Sequence, residues 1–254
     1  RYEEQNFSWG FYSILHEAGH GIYEQGLRSS WYGLPPGRAC SLGVHESQSR
    51  LWENLVGRSR GFWRWCLPLA KAVFPDALGG ATLEQVYAAV NEAKPSLIRT
   101  ESDEATYNLH IIIRTELEQE LLDDRLKVAD LPTAWNERYQ KHLGVTPPND
   151  AEGVLQDVHW SAGLVGYFPT YSLGNLYAAH LFAAAQKELG ELEPMFAQGE
   201  FAPLLHWLRE KVHVRGQTRP AVMLIEEACG EKATHEPLIE HLRTKYGELY
   251  GFSG

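Results

Sequence analysis

Residues 6–27 read NFSWGFYSILHEAGHGIYEQGL, and this stretch decides the fold prediction. Apolar side chains recur in it every three or four residues, which is typical of an amphipathic helix. The positions that share a face are Phe7, Phe11, Ile14, Leu15, Ala18 and Ile22. We therefore predict a single helix here, with the HEAGH sequence of residues 16–20 at its centre.

Helical spacing continues along most of the chain, and Pro and Gly residues separate the segments. Further helices are predicted at residues 44–73, 82–94, 102–122, 130–144, 175–189, 201–212, 219–229 and 236–249. Residues 28–43 are predicted to form an irregular connection. The predicted class is mainly α, and residues 1–254 are expected to form one helical region. The loop at residues 146–153 is the only candidate domain boundary.

Composition and charge bear on the partners of the chain. A net charge of −10 argues against nucleic acid, whose phosphates a largely acidic surface repels. The longest apolar stretches are shorter than the roughly 20 residues that a membrane span needs. The widely spaced Cys40, Cys66 and Cys229 do not resemble a disulfide framework. We therefore expect a cytoplasmic protein with no nucleic-acid or membrane partner.

The HEAGH sequence indicates a metal site. His16 and His20 are four residues apart, so a helix places both imidazoles on one face, where they can bind the same Zn²⁺. Glu17 lies beside them and is suited to accept a proton from an activated water. The pattern predicts a zinc hydrolase centre on the first helix.

A catalytic zinc site needs a third protein ligand, which the sequence alone leaves open. Glu46, 26 residues after His20, suits a second helix that packs against the first. Glu24, Glu53 and His45 compete with it on spacing. Glu46 could also be a simple partner of the helix dipole, because it lies near a helix N-terminus.

Four motifs in order resemble the carboxypeptidase Taq (M32) family of metallocarboxypeptidases. HEAGHGIYEQG begins at His16 and HESQSRLWEN at His45. Residues 98–103 (IRTESD) approximate the family's I/V-R-x-x-A/S-D element, and residues 153–160 (GVLQDVHW) match G-x-x-Q-D-x-H-W.

This resemblance implies that Glu46 is the third metal ligand and that Glu17 is the general base. It also implies a helical clamshell like that of neurolysin and angiotensin-converting enzyme, usually assembled as a homodimer. The expected activity is that of a metallocarboxypeptidase dependent on zinc, or on cobalt in some cases. Such an enzyme releases C-terminal amino acids from peptides through attack by metal-activated water.

A histidine and a downstream tyrosine stabilise the oxyanion in neurolysin-like enzymes, and His159 and Tyr171 have comparable spacing here. Tyr167 is the alternative to Tyr171 as the second donor. For His159 and Tyr171, the alternative to this catalytic role is packing in the core. Gln156 and Asp157 are candidates to orient a ligand imidazole, with helix capping as the alternative for Asp157.

Two other expectations concern neighbouring motifs and chain length. Arg99 and Asp103 are predicted to form a structural ion pair. The family's HPF and D-x-R-x-T elements, which precede the zinc motif, are not in this sequence. The chain is therefore expected to be the C-terminal half of such an enzyme, with a missing N-terminal half as a partner.

Two other functions stay open at this stage. An endo-acting oligopeptidase would use the same centre to cut inside short peptides. A zinc-binding half that does not hydrolyse peptides alone would need its missing N-terminal partner, or would act only as an assembly surface.

Overall fold

Every regular element in residues 6–252, the part of the chain that the computed structural model describes, is a helix. The α-helices, numbered in chain order, are α1 (Phe7–Gly26), α2 (Leu42–Arg50), α3 (Arg60–Val73), α4 (Pro75–Leu78), α5 (Leu83–Val90), α6 (Tyr107–Leu122), α7 (Leu131–Leu143), α8 (Pro169–Leu189), α9 (Leu192–Phe196), α10 (Ala202–Lys211), α11 (Ala221–Cys229) and α12 (Glu236–Tyr250). The prediction of a mainly α class is confirmed. No helix in the described part combines the length and the apolar character needed to cross a membrane.

The chain divides into two compact units. The first runs to Val90 and resumes at Leu173, whereas the second is Asn91–Ser172. The chain therefore enters the second unit after α5 and leaves it within the first turns of α8. These boundaries differ from the loop at residues 146–153, which lies inside the second unit.

Side-chain hydrogen bonds fix α1 in the first unit. Asn6 caps the helix by accepting a hydrogen bond from the backbone N–H of Trp9 (3.1 Å). The buried Tyr12 donates its hydroxyl hydrogen to the carbonyl of Gly57 (3.2 Å). Further along the same helix, the hydroxyl oxygen of Tyr23 accepts a hydrogen bond from the backbone N–H of Cys40 (3.0 Å). Because both tyrosines are buried and bonded, α1 is held in a fixed rotation about its axis.

The helix predicted at residues 44–73 is wrong as one continuous element. Ser41 caps α2, which passes into a π-helical segment, Leu51–Val56. The segment closes with a bond from the N–H of Gly57 to the carbonyl of Trp52, five residues back (2.9 Å). Ser59 then adopts an extended conformation and caps α3, with its hydroxyl accepting the N–H of Phe62 (3.0 Å). The cap explains the break, since it starts a new helix inside an apolar pattern that continues.

Helix α6 also begins later than predicted, at Tyr107 rather than Ser102. The Asp103 carboxylate accepts the backbone N–H groups of Ala105 and Thr106 (2.9 Å each). This local turn satisfies those groups before the helix starts. Conversely, α8 begins at Pro169, six residues earlier than predicted.

Each unit has its own buried core. In the first unit the core includes the fully buried Trp63, Tyr23, Leu51, Leu181 and Phe196. In the second unit Ile113 and Leu117 of α6 pack with Trp135 and Tyr139 of α7. A smaller cluster of Tyr107, Ile111 and Phe168 adjoins it.

Candidate metal centre

The first unit brings the two motif histidines together with Glu46. Nε2 of His16 lies 3.7 Å from Oε2 of Glu46, and Nε2 of His20 lies 3.6 Å from the same oxygen. The donor atoms of the three residues are all within 4.8 Å of one another. Glu46 is buried and the histidines are half-buried, so the group is partly accessible to solvent.

A glycine inside the motif allows this convergence. A Cβ atom built on Gly19 would lie 2.6 Å from Cα of Ser49 and 2.7 Å from the carbonyl oxygen of Gln48. These are backbone atoms of α2, so they cannot move aside like the end of a flexible side chain. Because Gly19 has no side chain, α2 approaches α1 closely enough for Glu46 to reach the histidines.

A second glycine contacts the Glu46 side chain directly. A Cβ atom on Gly174 of α8 would lie 2.7 Å from Cβ of Glu46 and closer still to its Cγ. The Glu46 side chain therefore packs directly on the α8 backbone. This contact restricts the rotamers through which the carboxylate can reach the imidazoles.

The other ring nitrogen of each histidine also has a partner. Nδ1 of His16 lies 2.9 Å from Oε2 of Glu53, and Nδ1 of His20 lies 3.1 Å from the carbonyl oxygen of His45. Burial acts to raise the pKa of Glu53, but Arg50, His16 and Arg58 outweigh it and lower that pKa to about 2. Since Glu53 is an ionised acceptor, Nδ1 of His16 is the ring nitrogen that donates to it, and Nε2 is the one that faces Glu46.

The structure separates Glu46 from the residues that compete with it as a ligand. Glu53 contacts Nδ1 of His16, whereas Glu46 lies near Nε2 of the same ring. Nδ1 of His45 lies 2.6 Å from Nδ1 of His20, while its Nε2 lies 3.0 Å from Oε1 of Glu24. Glu24, Glu53 and His45 therefore lie around His16 and His20 and do not join the group of three donor residues.

The donor set fits a zinc ion. A tetrahedral Zn²⁺ with bonds of about 2.0–2.2 Å holds its ligand atoms about 3.3–3.6 Å apart, close to the separations between the Nε2 atoms and Glu46. Burial, together with the neighbouring His16 and His45, lowers the pKa of His20. A low pKa favours the neutral imidazole that a metal requires. Two histidines and one carboxylate also match the donor set of catalytic zinc sites.

Glu17 lies between the two histidines in sequence and is exposed on α1. Exposure leaves its carboxylate open to water and to a bound substrate, as a general base requires.

His159 and Tyr171 belong to the second unit and contact each other. Nε2 of His159 lies 2.8 Å from the hydroxyl oxygen of Tyr171. The ring of Tyr167 lies 5.3 Å from that of His159, centroid to centroid. Burial is the largest influence on His159 and lowers its pKa, which favours a neutral imidazole at pH 7.

Asp157 is the centre of a buried charge network in the second unit. Arg99 belongs to this network, so the prediction that it pairs with Asp103 is wrong. Arg99 donates through Nη2 to Oδ1 of Asp157 (2.7 Å), and Arg114 donates through Nε to Oδ2 (2.7 Å). Burial acts to raise the pKa of Asp157, but Arg99 and Arg114 lower it. Arg99 pairs with Asp157 and not with Asp103, because the Asp103 carboxylate is engaged in the turn that precedes α6.

Gln156 joins the same network, and both its side-chain oxygen and its side-chain nitrogen have partners within the second unit. Its side-chain oxygen accepts from Nη2 of Arg114 (2.8 Å) and from the backbone N–H of Arg99 (3.0 Å). Nδ1 of His159 lies 3.6 Å from Oδ1 of Asp157, so the imidazole that Asp157 faces here is that of His159.

Sequence reasoning missed the supporting roles of Gly19, Gly174, Glu53 and Arg114. For Glu53 a signal existed, because it follows Glu46 by seven residues and so lies on the same side of a helix. The two glycines had no such signal, since their importance depends on which backbone comes close to them.

Comparison with known proteins identifies the family of this chain. The family model for carboxypeptidase Taq (M32) metallopeptidase matches residues 1–246. Thermostable carboxypeptidase 1 of Thermus thermophilus is 54% identical over 99% of this chain and 49% of its own length. Carboxypeptidase 1 of Bacillus subtilis is 43% identical over 98% of this chain and 50% of its own.

A solved structure gives the same result for the fold. The M32 carboxypeptidase from Deinococcus radiodurans superposes with a TM-score of 0.97 at 49% identity, covering 99% of this chain and 51% of that one. The chain thus spans about half the length of the relatives that it matches. The match over nearly the whole sequence, together with the donor group on α1 and α2, shows that the chain belongs to the carboxypeptidase Taq (M32) metallopeptidase family.

Proposed function

We propose that this chain carries the metal centre of a zinc-dependent carboxypeptidase that releases single amino acids from peptide C-termini. The observation that supports this most is the convergence of Nε2 of His16 and Nε2 of His20 on one oxygen of Glu46. The family is one of metallopeptidases, and the donor set suits zinc, with cobalt as an alternative.

In this proposal His16, His20 and Glu46 hold the ion. Zinc, when bound, supplies a Lewis acid that polarises the scissile carbonyl and lowers the pKa of water. Glu17 accepts the proton of the attacking water and later delivers it to the leaving amine. Glu53 keeps the His16 ring oriented throughout, through the bond to Nδ1.

His159 and Tyr171 are proposed to donate hydrogen bonds to the oxyanion that forms at the scissile carbon. Their mutual contact and the neutral state of His159 support this role, which otherwise comes from the family resemblance. Tyr167 is the alternative donor.

The group that binds the substrate's terminal carboxylate is proposed to be neither Arg99 nor Arg50. Arg99 already pairs with Asp157, and Arg50 donates to Glu46 and Glu53. Breaking either pair would take a cation away from a largely buried carboxylate, which is costly. The family resemblance supplies another candidate, the arginine of the D-x-R-x-T element. It also carries the proposals of a homodimer and of a cytoplasmic location.

The test compares the purified chain with Glu17→Gln, measuring zinc by elemental analysis and turnover on a peptide with a free C-terminus and on its amide. We expect one zinc per chain in both proteins. Only the wild type should cleave the free peptide, because the substitution removes the base and leaves the ligands. Its turnover should be low, because the arginine of the D-x-R-x-T element is not in this sequence.

The same assay distinguishes the alternative functions. Equal cleavage of the amide by an enzyme that also contains the D-x-R-x-T arginine would replace the proposal with an endo-acting peptidase. Bound zinc without any turnover would favour a half that does not hydrolyse peptides alone.

A further inference from the structure

Arg50 lies at the junction of the two carboxylates nearest the histidines. It is the last residue of α2, four positions after Glu46 and three before Glu53. Its side chain is 12% exposed. Its Nε donates to Oε1 of Glu46 (2.9 Å) and its Nη1 to Oε2 of Glu53 (3.3 Å).

These contacts make the two oxygens of Glu46 unequal. Oε1 accepts from Arg50, whereas Oε2 faces the Nε2 atoms of His16 and His20. The packing of Glu46 on Gly174 further limits rotation of the carboxylate. One oxygen is therefore engaged by a cation and the other is directed at the imidazoles.

Arg50 also supports His16 indirectly, through Glu53. Oε2 of Glu53, which Arg50 contacts, is also the oxygen bonded to Nδ1 of His16. The planar guanidinium thus links the support of one histidine to the orientation of Glu46. A lysine could not reproduce this link, because its single ammonium group lacks the fixed fork of donors.

We propose that Arg50 is a positioning residue that restricts Glu46 to binding the metal through Oε2 alone. The inference rests on the proposed function, since it assumes that the three-residue group holds zinc. With Glu46 bound through one oxygen, the three ligands leave a tetrahedral position for a further ligand. If Oε1 were released, Glu46 could bind through both oxygens and occupy that position.

The decisive variant is Arg50→Lys, which retains the positive charge and so leaves the repulsion between residue 50 and a dication nearly unchanged. The matched control is Arg60→Lys, the same substitution at an arginine of α3 that pairs with Glu248 and Glu84. Zinc affinity is measured by competition with a chromogenic chelator, and Glu46 coordination is read from crystal structures of the zinc-loaded chains.

We expect Arg50→Lys to weaken zinc binding about 10–100-fold, as is typical when a residue supporting a ligand is lost. We also expect both oxygens of Glu46 within bonding distance of zinc in that variant, and one in the wild type and Arg60→Lys. Unchanged affinity and coordination in Arg50→Lys would overturn the inference. So would two bonded Glu46 oxygens in the wild type, a result that does not depend on whether the variant folds. If the wild type bound no zinc at all, the proposed function would fail first, and this inference with it.

Discussion

At the scale of single residues, the glycine that touches Glu46 offers a direct test of the site. Gly174→Ala places a methyl group against Cβ and Cγ of Glu46, so the side chain must leave the position in which Oε2 faces the two imidazoles. We expect zinc affinity, measured by chelator competition, to fall about 10–100-fold.

The matched control is Gly21→Ala in α1, because a Cβ atom there meets nothing within 4 Å. That change should preserve zinc affinity and stabilise the chain by about 0.5–1 kcal/mol, since alanine is favoured over glycine within helices. Equal zinc affinity in both variants would show that Glu46 does not depend on its contact with α8.

How far the sequence could predict these residues depends on the signal that each one gives. The spacing of His16 and His20 on a single helix indicates a metal site by itself. Choosing Glu46 over Glu53 was not possible from spacing, because residues seven apart lie on the same side of a helix. Only the three-dimensional contacts show that Glu53 reaches Nδ1 of His16 and that Glu46 faces the Nε2 atoms.

At the scale of helices, the close approach of α1 and α2 is the main requirement of the centre. Gly19→Ala forces the Cβ atom onto the backbone of Ser49 and Gln48, so the two helices must separate. We expect a loss of about 1–3 kcal/mol in the free energy of unfolding, measured with urea, and a parallel loss of zinc affinity. A variant as stable as the wild type would mean that the helix packing tolerates a wider spacing.

The sequence predicts α1 well because its apolar period is regular and Asn6 caps it. It does not predict the break at Ser59, because apolar residues continue on both sides of a single capping side chain. The π-helical segment Leu51–Val56 is equally hidden, since its residues are compatible with an ordinary α-helix.

At the scale of the whole molecule, buried histidines in both units predict acid sensitivity. Burial lowers the pKa of His213, in the first unit, to about 3. Burial, assisted by the positive charges of Arg114 and Arg99, does the same for His110 in the second unit. Both side chains are fully buried.

The sign of the effect follows from proton binding. In the unfolded chain these histidines protonate near pH 6.5, whereas the folded chain keeps them neutral until about pH 3. The stabilisation is complete above pH 6.5 and is lost as the pH falls towards 3. At pH 5 each histidine should account for a loss of about 2 kcal/mol relative to pH 7.

Urea unfolding at pH 7 and pH 5 measures this loss. His110→Gln and His213→Gln cannot take up the proton, so each variant should lose less stability on acidification than the wild type does. If both variants lose as much as the wild type, other groups cause the acid sensitivity.

The π-helical segment also affects how this protein is aligned with others. A π-helical turn contains one residue more than the α-helical turn that it replaces. A relative with a regular helix at Leu51–Val56 would therefore align with a one-residue gap, placed after Glu46 and within the segment that contains Glu53. If that gap is placed after Glu53, Glu46 keeps its column while Glu53, which contacts Nδ1 of His16, is displaced by one position. Conservation scored by column would then understate how widely this support is shared.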